Sequence, residues 1–204
     1  MEFSHKGFTP RVNIREQKNA LRTEYRAKRK ALDPEVKAQM DAAVCKRLAT
    51  LVSVRYASEI LSFSPLAGEI DVAEFNQFVL DSGKRLYLPR CVKGTPEMNF
   101  HLVSGMDELS RGSFSINEPS ADAPIWNEQS GVSCAVIIPA MSYDRRGYRL
   151  GYGKGYYDRY LSDKGAVKIG ICYTDFIAEH IPNGRFDLAV DIIVTEKGII
   201  TVNK

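Results

Sequence analysis

Apolar and polar positions change period several times along the chain, and each change marks an element. Residues 14–31 are dominated by Lys, Arg, Glu, Ala and Leu, all good helix formers, so the segment is expected as a helix. Residues 1–14 ahead of it carry no period and read as a flexible tail. Asp33 then stands as a helix cap, with Pro34 in the first helical position and Glu35 after it. Met40, Val44, Leu48 and Leu51 recur at helical spacing and carry this second helix to about Val54. EILSFSP (59–65) reads as a buried strand, and DVAEFNQFVLDSG (71–83) as a helix that opens on Asp and stops on Gly. RLYLPR (85–90) and MNFHLV (98–103) are strand-like. Residues 104–132, rich in Ser, Gly, Asn and Pro, show no period and are expected as an irregular connection. SCAVIIPA (133–140) carries the strongest strand signal. GYYDRYLSDKG (155–165) fits a short helix ending at Gly165. AVKIGICY (166–173) and DIIVTEKGIITV (191–202) supply further strands, the latter as a hairpin through Lys197 and Gly198.

Strands that alternate with helices, and that are nearly continuous in apolar residues, belong to a sheet covered on both faces. The expected fold class is therefore α/β. It is a single-domain sheet of mixed, mostly parallel strands with helices on both faces, a Rossmann-like three-layer architecture over residues 15–204. Ligands of such folds bind outside the carboxyl ends of the strands. The segment after the strand ending near Ala140 is where that rule places a site.

Composition narrows the class. Of 204 residues, 44% are hydrophobic and 26% charged, which suits a folded globular protein and is too apolar for a disordered one. A net charge of +3 suits anionic ligands without demanding nucleic acid, and the 25 acidic residues argue against a polyanion binder. Cys45, Cys91, Cys134 and Cys172 are far apart and form no CxxC pair, against a zinc site or thioredoxin-like motif. Three of them lie in or beside apolar runs, as buried reduced thiols would. No run approaches the ~20 apolar residues of a membrane helix. The start, MEFSHKGFTPRVNIREQ, lacks the apolar core of a secretory signal, and Glu2 and Glu16 argue against a transit peptide. The expectation is a cytoplasmic protein, monomer or weak homodimer, that engages neither membrane nor nucleic acid.

The candidate chemistry sits in RLGYGKGYYDRY (149–160). Gly151, Gly153 and Gly155 alternate with Tyr152 and Lys154. Glycines let a backbone turn sharply and approach a ligand, and their successive N–H groups form anion-binding nests. Lys154 and Arg149 add full charges, and Arg145 and Arg146 lie close by. Together these specify a phosphate cradle. It is neither a Walker A loop, since Lys154 is followed by Gly155, nor GxGxxG, since the spacing is GxGxG. A carboxylate one turn on, Asp158, and Asp191 at the start of an apolar strand are the candidate magnesium ligands. Each on its own equally fits an ordinary helix-end or strand-end residue. His5, His101 and His180 have no motif around them.

The loop closely resembles the signature of the 5-formyltetrahydrofolate cyclo-ligase, or methenyltetrahydrofolate synthetase, family. The resemblance runs over nearly the whole chain. Lys18-Asn19-Ala20-Leu21-Arg22 is similar to the family's K-x-x-L-R, SFSPLAGEIDV (62–72) to its strand-to-helix segment with a glutamate. KRLYLPR (84–90), NEP (117–119), the strand ending in Pro139 and Val190-Asp191 occur in the right order. The start before Lys18 is long for the family, Tyr152 stands where many relatives carry Arg or another residue, and Cys91 follows where some place an aromatic.

The resemblance implies an ATP- and magnesium-dependent closure of 5-formyltetrahydrofolate to 5,10-methenyltetrahydrofolate, with ADP and phosphate released through a phosphorylated formyl oxygen. It implies that Lys18 and Arg22, one helical turn apart, bind ATP together with Arg149, Gly151, Tyr152, Gly153, Lys154, Gly155, Tyr156 and Tyr157. Lys154, Arg149 and Glu69 form the catalytic set. Ser64, Glu69, Tyr156 and Tyr157 bind the folate, with Phe114 as a further wall, and Asp158 and Asp191 hold Mg2+. On residues alone, other classes stay open. One is an ATP-dependent enzyme on the same loop acting on another formyl or amide substrate. Another is a nucleotide- or nucleic-acid-binding module drawing on the basic first helix, and a third is a relative without activity.

Overall fold

A computed structural model of the protein describes residues 13–112 and 116–203. Asn13 already belongs to the fold. Its side chain accepts from the N–H groups of Arg15 and Glu16 and caps α1 (Ile14–Lys30). The remainder of the expected tail lies outside the described residues, and so does Phe114. Asp33 caps α2 (Pro34–Thr50) through the N–H groups of Glu35 and Val36. This helix stops short of the expected Val54. Leu51 is extended and buried, and the chain restarts as α3 (Val52–Tyr56), which turns Val54 into the core.

β1 (Glu59–Leu61) is shorter than the apolar run that predicts it, although Ser62 N–H still donates to Tyr87 O at 2.9 Å. α4 (Ala73–Asp81) lies inside the expected 71–83, with the Asp71 carboxylate accepting from Ala73 N–H at 2.9 Å. β2 (Arg85–Cys91) and β3 (Met98–Val103) pair antiparallel. The connection expected to be irregular holds a short ribbon, β4 (Ser110–Arg111) with β5 (Asn117–Glu118). It also covers the β3 edge, where Leu102 donates to Pro124 O and Trp126 donates to Phe100 O. The rest is β6 (Cys134–Pro139), β7 (Ser142–Asp144), β8 (Arg149–Leu150), α5 (Tyr156–Tyr160), β9 (Val167–Ile171), β10 (Ile177–Ala178), β11 (Ile192–Val194) and β12 (Ile199–Thr201).

The main sheet runs β12-β11-β9-β6-β1-β2-β3. Its five central strands are parallel, and the two outer ones are antiparallel. Residues 135–138 of β6 are all fully buried. Successive strand residues point to opposite faces, so both faces of the sheet are covered. This is the mixed, mostly parallel α/β sheet that the alternation predicts, and the hairpin of β11 and β12 is present.

A second sheet, β10-β7-β8, was not predicted. Its strands are too short to show a period. It is fastened to the main sheet by Tyr143, which donates to Ile138 O at 2.9 Å and lies so close over Gly170 that a Cβ there would come within 2.5 Å of the ring. Between β7 and β8 the fully buried Asp144 organises the turn. It accepts from the N–H groups of Arg146, Tyr148 and Ile181 and from the Arg146 guanidinium. Arg146 is therefore a structural partner of this turn rather than a free charge beside the loop.

Candidate functional site

A cleft of about 500 Å3 opens where residues after β1 and β6 meet the glycine loop after β8. Its walls include Lys18, Arg22, Ser64, Glu69, Arg149, the whole 151–155 loop, Tyr156, Tyr157 and Asp158. Asp191 is the one expected site residue within the described chain that does not line it.

One wall is built by the chain leaving β1. Phe63, Ser64 and Leu66 line it with Pro89 and Pro139 from neighbouring strand ends. The Ser64 hydroxyl is buried and has no partner among the described residues, an uncommon condition that a bound ligand would relieve. Glu69 is 5% exposed. Its Oε2 accepts from Leu66 N–H at 2.7 Å. Burial pushes the Glu69 carboxyl above its ordinary value, with the Leu66 N–H, the nearby Tyr152 hydroxyl and the Arg29 charge acting the other way. A buried acceptor at the mouth of an apolar wall suits a flat ligand that presents N–H donors.

The opposite wall is the glycine loop. Gly153 (φ +99°) and Gly155 (φ +66°) take left-handed backbone that other residues resist, whereas Gly151 does not. Gly151 O instead accepts from Arg22 Nε at 2.8 Å, which docks α1 on the loop. Burial and the neighbouring Arg26 lower the Arg22 guanidinium, with Asp187 opposing them. Lys18 Nζ is 2.7 Å from Asp187 Oδ1 in an ion pair. Lys154 is exposed, and its ammonium has no protein partner among the described residues. α5 after the loop is a single turn, so the loop's own N–H groups and the cations carry the anion affinity.

Arg149 is 7% exposed and is held by Asp158 Oδ1 at 2.7 Å and by Leu188 O at 3.2 Å. Asp158 Oδ1 also accepts from Leu188 N–H at 3.0 Å. The hard oxygens of Asp158 beside a phosphate-sized loop suit magnesium, which takes one or two carboxylates and completes its shell with phosphate and water. Asp191 lies away from the cleft wall, where its Oδ2 accepts from Lys168 N–H at 2.7 Å and ties β11 to β9. Among the described residues no group of three or more His, Cys, Asp or Glu is set to hold a metal. Tyr157 packs edge-on against Phe100 at 6.3 Å between centroids, so it is wall and core at once. Tyr156 and Cys91 both line the cleft.

The sequence reading missed Asp187, Arg29, Cys91, Met98 and Glu118. Asp187 has no motif around it. Arg29 is one cation in the run Arg-Ala-Lys-Arg-Lys (26–30), yet it alone reaches Gly68 O at 3.3 Å, the Tyr152 hydroxyl at 3.1 Å and Ala140 O. No helix is long and apolar enough to cross a membrane among the described residues.

Comparison with known proteins bears on this cleft. The model of the 5-formyltetrahydrofolate cyclo-ligase family matches residues 14–196. The 5-formyltetrahydrofolate cyclo-ligase of Escherichia coli K12 is 29% identical over 177 residues, which cover 83% of this chain and 95% of that one. The mitochondrial 5-formyltetrahydrofolate cyclo-ligase of Arabidopsis thaliana is 27% identical, covering 93% and 78%. Among solved structures, the 5,10-methenyltetrahydrofolate synthetase of Aquifex aeolicus superposes with a TM-score of 0.79 at 30% identity, covering 92% of this chain and 93% of that one.

Proposed function

The chain belongs to the 5-formyltetrahydrofolate cyclo-ligase family, and we propose that it closes 5-formyltetrahydrofolate to 5,10-methenyltetrahydrofolate while ATP becomes ADP and phosphate. The observation that carries this reading is the division of one cleft. A buried acceptor and an orphaned hydroxyl, Glu69 and Ser64, line one side, and a glycine loop with an unpaired lysine lines the other. A folate and a nucleotide bound on these walls meet in the middle.

The formyl oxygen attacks the terminal phosphorus and ADP leaves. The second folate nitrogen then attacks the formyl carbon and gives up its proton, and phosphate departs with the oxygen. The protein's task is to position and to neutralise charge, since such transfers ask for little covalent help. Glu69 accepts from the pterin N–H groups and sets the angle of the ring, and Ser64 completes its hydrogen bonds there. The loop N–H groups hold the phosphates. Lys154, Lys18, Arg22 and Arg149 offset the charge that shifts during transfer. Asp158 would hold magnesium together with the phosphates, and the ion would supply further neutralisation there. Tyr156 and Tyr157 offer flat faces to a heteroaromatic ring. The reading places the enzyme among soluble small-molecule ligases of one-carbon metabolism.

The test is direct. Purified protein with ATP, magnesium and 5-formyltetrahydrofolate should develop the absorbance of the methenyl product, with one ADP formed per product. ADP without methenyl product would assign the loop to another substrate.

A further inference from the structure

Lys18, Arg22 and Arg29 share one face of α1, since their spacing follows the turn of 3.6 residues. Lys18 meets Asp187, and Arg22 meets Gly151 O in the glycine loop. Arg29 reaches three segments at once. Its Nη1 donates to Gly68 O at 3.3 Å and to the Tyr152 hydroxyl at 3.1 Å, and its Nη2 donates to Ala140 O. These partners belong to the turn that carries Glu69, to the glycine loop and to the chain that leaves β6. The Phe176 ring lies within cation–π range, 5.9 Å from Cζ to the centroid. Nε is buried and has no partner among the described residues, so the two terminal nitrogens make the hydrogen bonds. Arg29 itself lines no wall of the cleft.

We propose that Arg29 is a positioning residue for the reaction: by clamping Gly68, Tyr152 and Ala140 together it sets the separation of the folate wall and the phosphate loop. The two walls come from distant parts of the chain, and this one guanidinium joins them. The atoms that have to meet are a formyl oxygen on one ligand and the terminal phosphorus of the other. Opposite walls hold these two ligands. A small shift between the walls leaves each ligand its own contacts and draws the reacting atoms apart, which costs rate rather than affinity. A guanidinium suits the task, because its donors lie in one rigid plane and its charge is permanent. Lysine offers one nitrogen on a flexible stem where Arg29 offers two set apart.

The inference rests on the folate and nucleotide assignments above, and the experiment separates the two. Turnover of 5-formyltetrahydrofolate with ATP and magnesium is measured for the native protein, for Arg29→Lys and for Arg29→Ala. Calorimetry gives the affinity of each for 5-formyltetrahydrofolate and, separately, for a non-hydrolysable ATP analogue with magnesium. Thermal melting shows which variants are folded. In both variants kcat is expected to fall about ten- to a hundredfold, the range of a misplacement of about 1 Å, while each affinity stays within about threefold of native. If Arg29→Ala does not fold, Arg29→Lys decides by the same split. Native kcat in Arg29→Lys overturns the inference, since charge alone would then suffice, and leaves the functional reading standing. A fall in kcat matched by an equal loss of both affinities also overturns it, by making Arg29 a plain support of the cleft. Failure of both variants to fold does the same. Absence of turnover by the native protein overturns the functional reading and the positioning role with it.

Discussion

Lys154 and Glu69 occupy opposite walls of the cleft and opposite electrostatic situations. Lys154 is exposed on the loop, so its truncation removes charge and leaves packing alone. Lys154→Ala is expected to melt at the native temperature and to lose about a hundredfold in turnover, the cost of one transition-state charge contact. Near-native turnover at saturating ATP would remove Lys154 from the mechanism. Glu69 is buried, and Glu69→Gln keeps its shape while losing the charge and one acceptor. Folate affinity should fall about ten- to a hundredfold, the range of a charge-assisted hydrogen bond, and ATP affinity should hold. Equal weakening of both ligands would mean a general collapse of the cleft. The same residue fixes a pH dependence. Its folded carboxyl lies above the ordinary 4.5 because burial penalises the charge. The native state therefore keeps this proton to higher pH than the unfolded chain, and stability falls as pH rises from 4.5 through the folded value. Glu69→Gln lacks that slope, so urea midpoints should shift in favour of the variant as pH rises through this window. The cleft residues that carry a motif, such as Lys154, were legible in the sequence. Asp187 and Arg29 were not, because ordinary acidic and basic residues acquire their meaning only from what the chain folds against them.

At the scale of elements, periodicity found the long pieces and missed the short ones. The capped α2 and the apolar β6 announce themselves, since Asp33-Pro34 and a run of buried β-branched residues have few other uses. β7, β8 and β10 span two or three residues each, less than one repeat of any pattern, although they aim the glycine loop. Their stability comes from buried partners such as Asp144. The turn between β7 and β8 is a sharp test of this. Gly147 has φ +84°, and a Cβ on it would come within 2.7 Å of Val190 O. Gly147→Ala should cost about 2–4 kcal/mol in urea unfolding, and an unchanged midpoint would mean that the turn relaxes freely. In the loop itself, a Cβ at Gly153 would meet the Arg22 guanidinium at 3.4 Å, with φ at +99°. Gly153→Val should weaken ATP in calorimetry by displacing the Arg22 side chain and stiffening the loop. Unchanged affinity would leave this glycine a role in the turn alone.

Over the whole molecule, one cleft collects strand ends, a helix from the beginning of the chain and a loop from near its end. Ligands that fill it should stabilise everything they touch. At a hundred times its dissociation constant a ligand contributes about 2.7 kcal/mol, which for a protein of this size is about 5–10 °C in melting temperature. ATP with 5-formyltetrahydrofolate should exceed either alone, and no shift with either would argue that the cleft is not their site. The architecture was legible because alternating strands and helices leave few packings, whereas the docking of α1 on the glycine loop was not, since no local pattern records a contact so distant in sequence. That docking sets the order of synthesis against the order of assembly. α1 leaves the ribosome before its anchors do: Gly151 O, which anchors Arg22, lies 129 residues later, and Asp187, which anchors Lys18, lies 169 residues after its partner. At translation rates of about 5–20 residues per second, the nascent helix waits roughly 10 to 30 s for its last anchor. During that wait it has to remain soluble by itself, and its almost wholly polar surface, with Tyr25 as its one fully buried side chain, equips it to do so. The cleft walls are thus complete only once the chain has been made as far as Asp187.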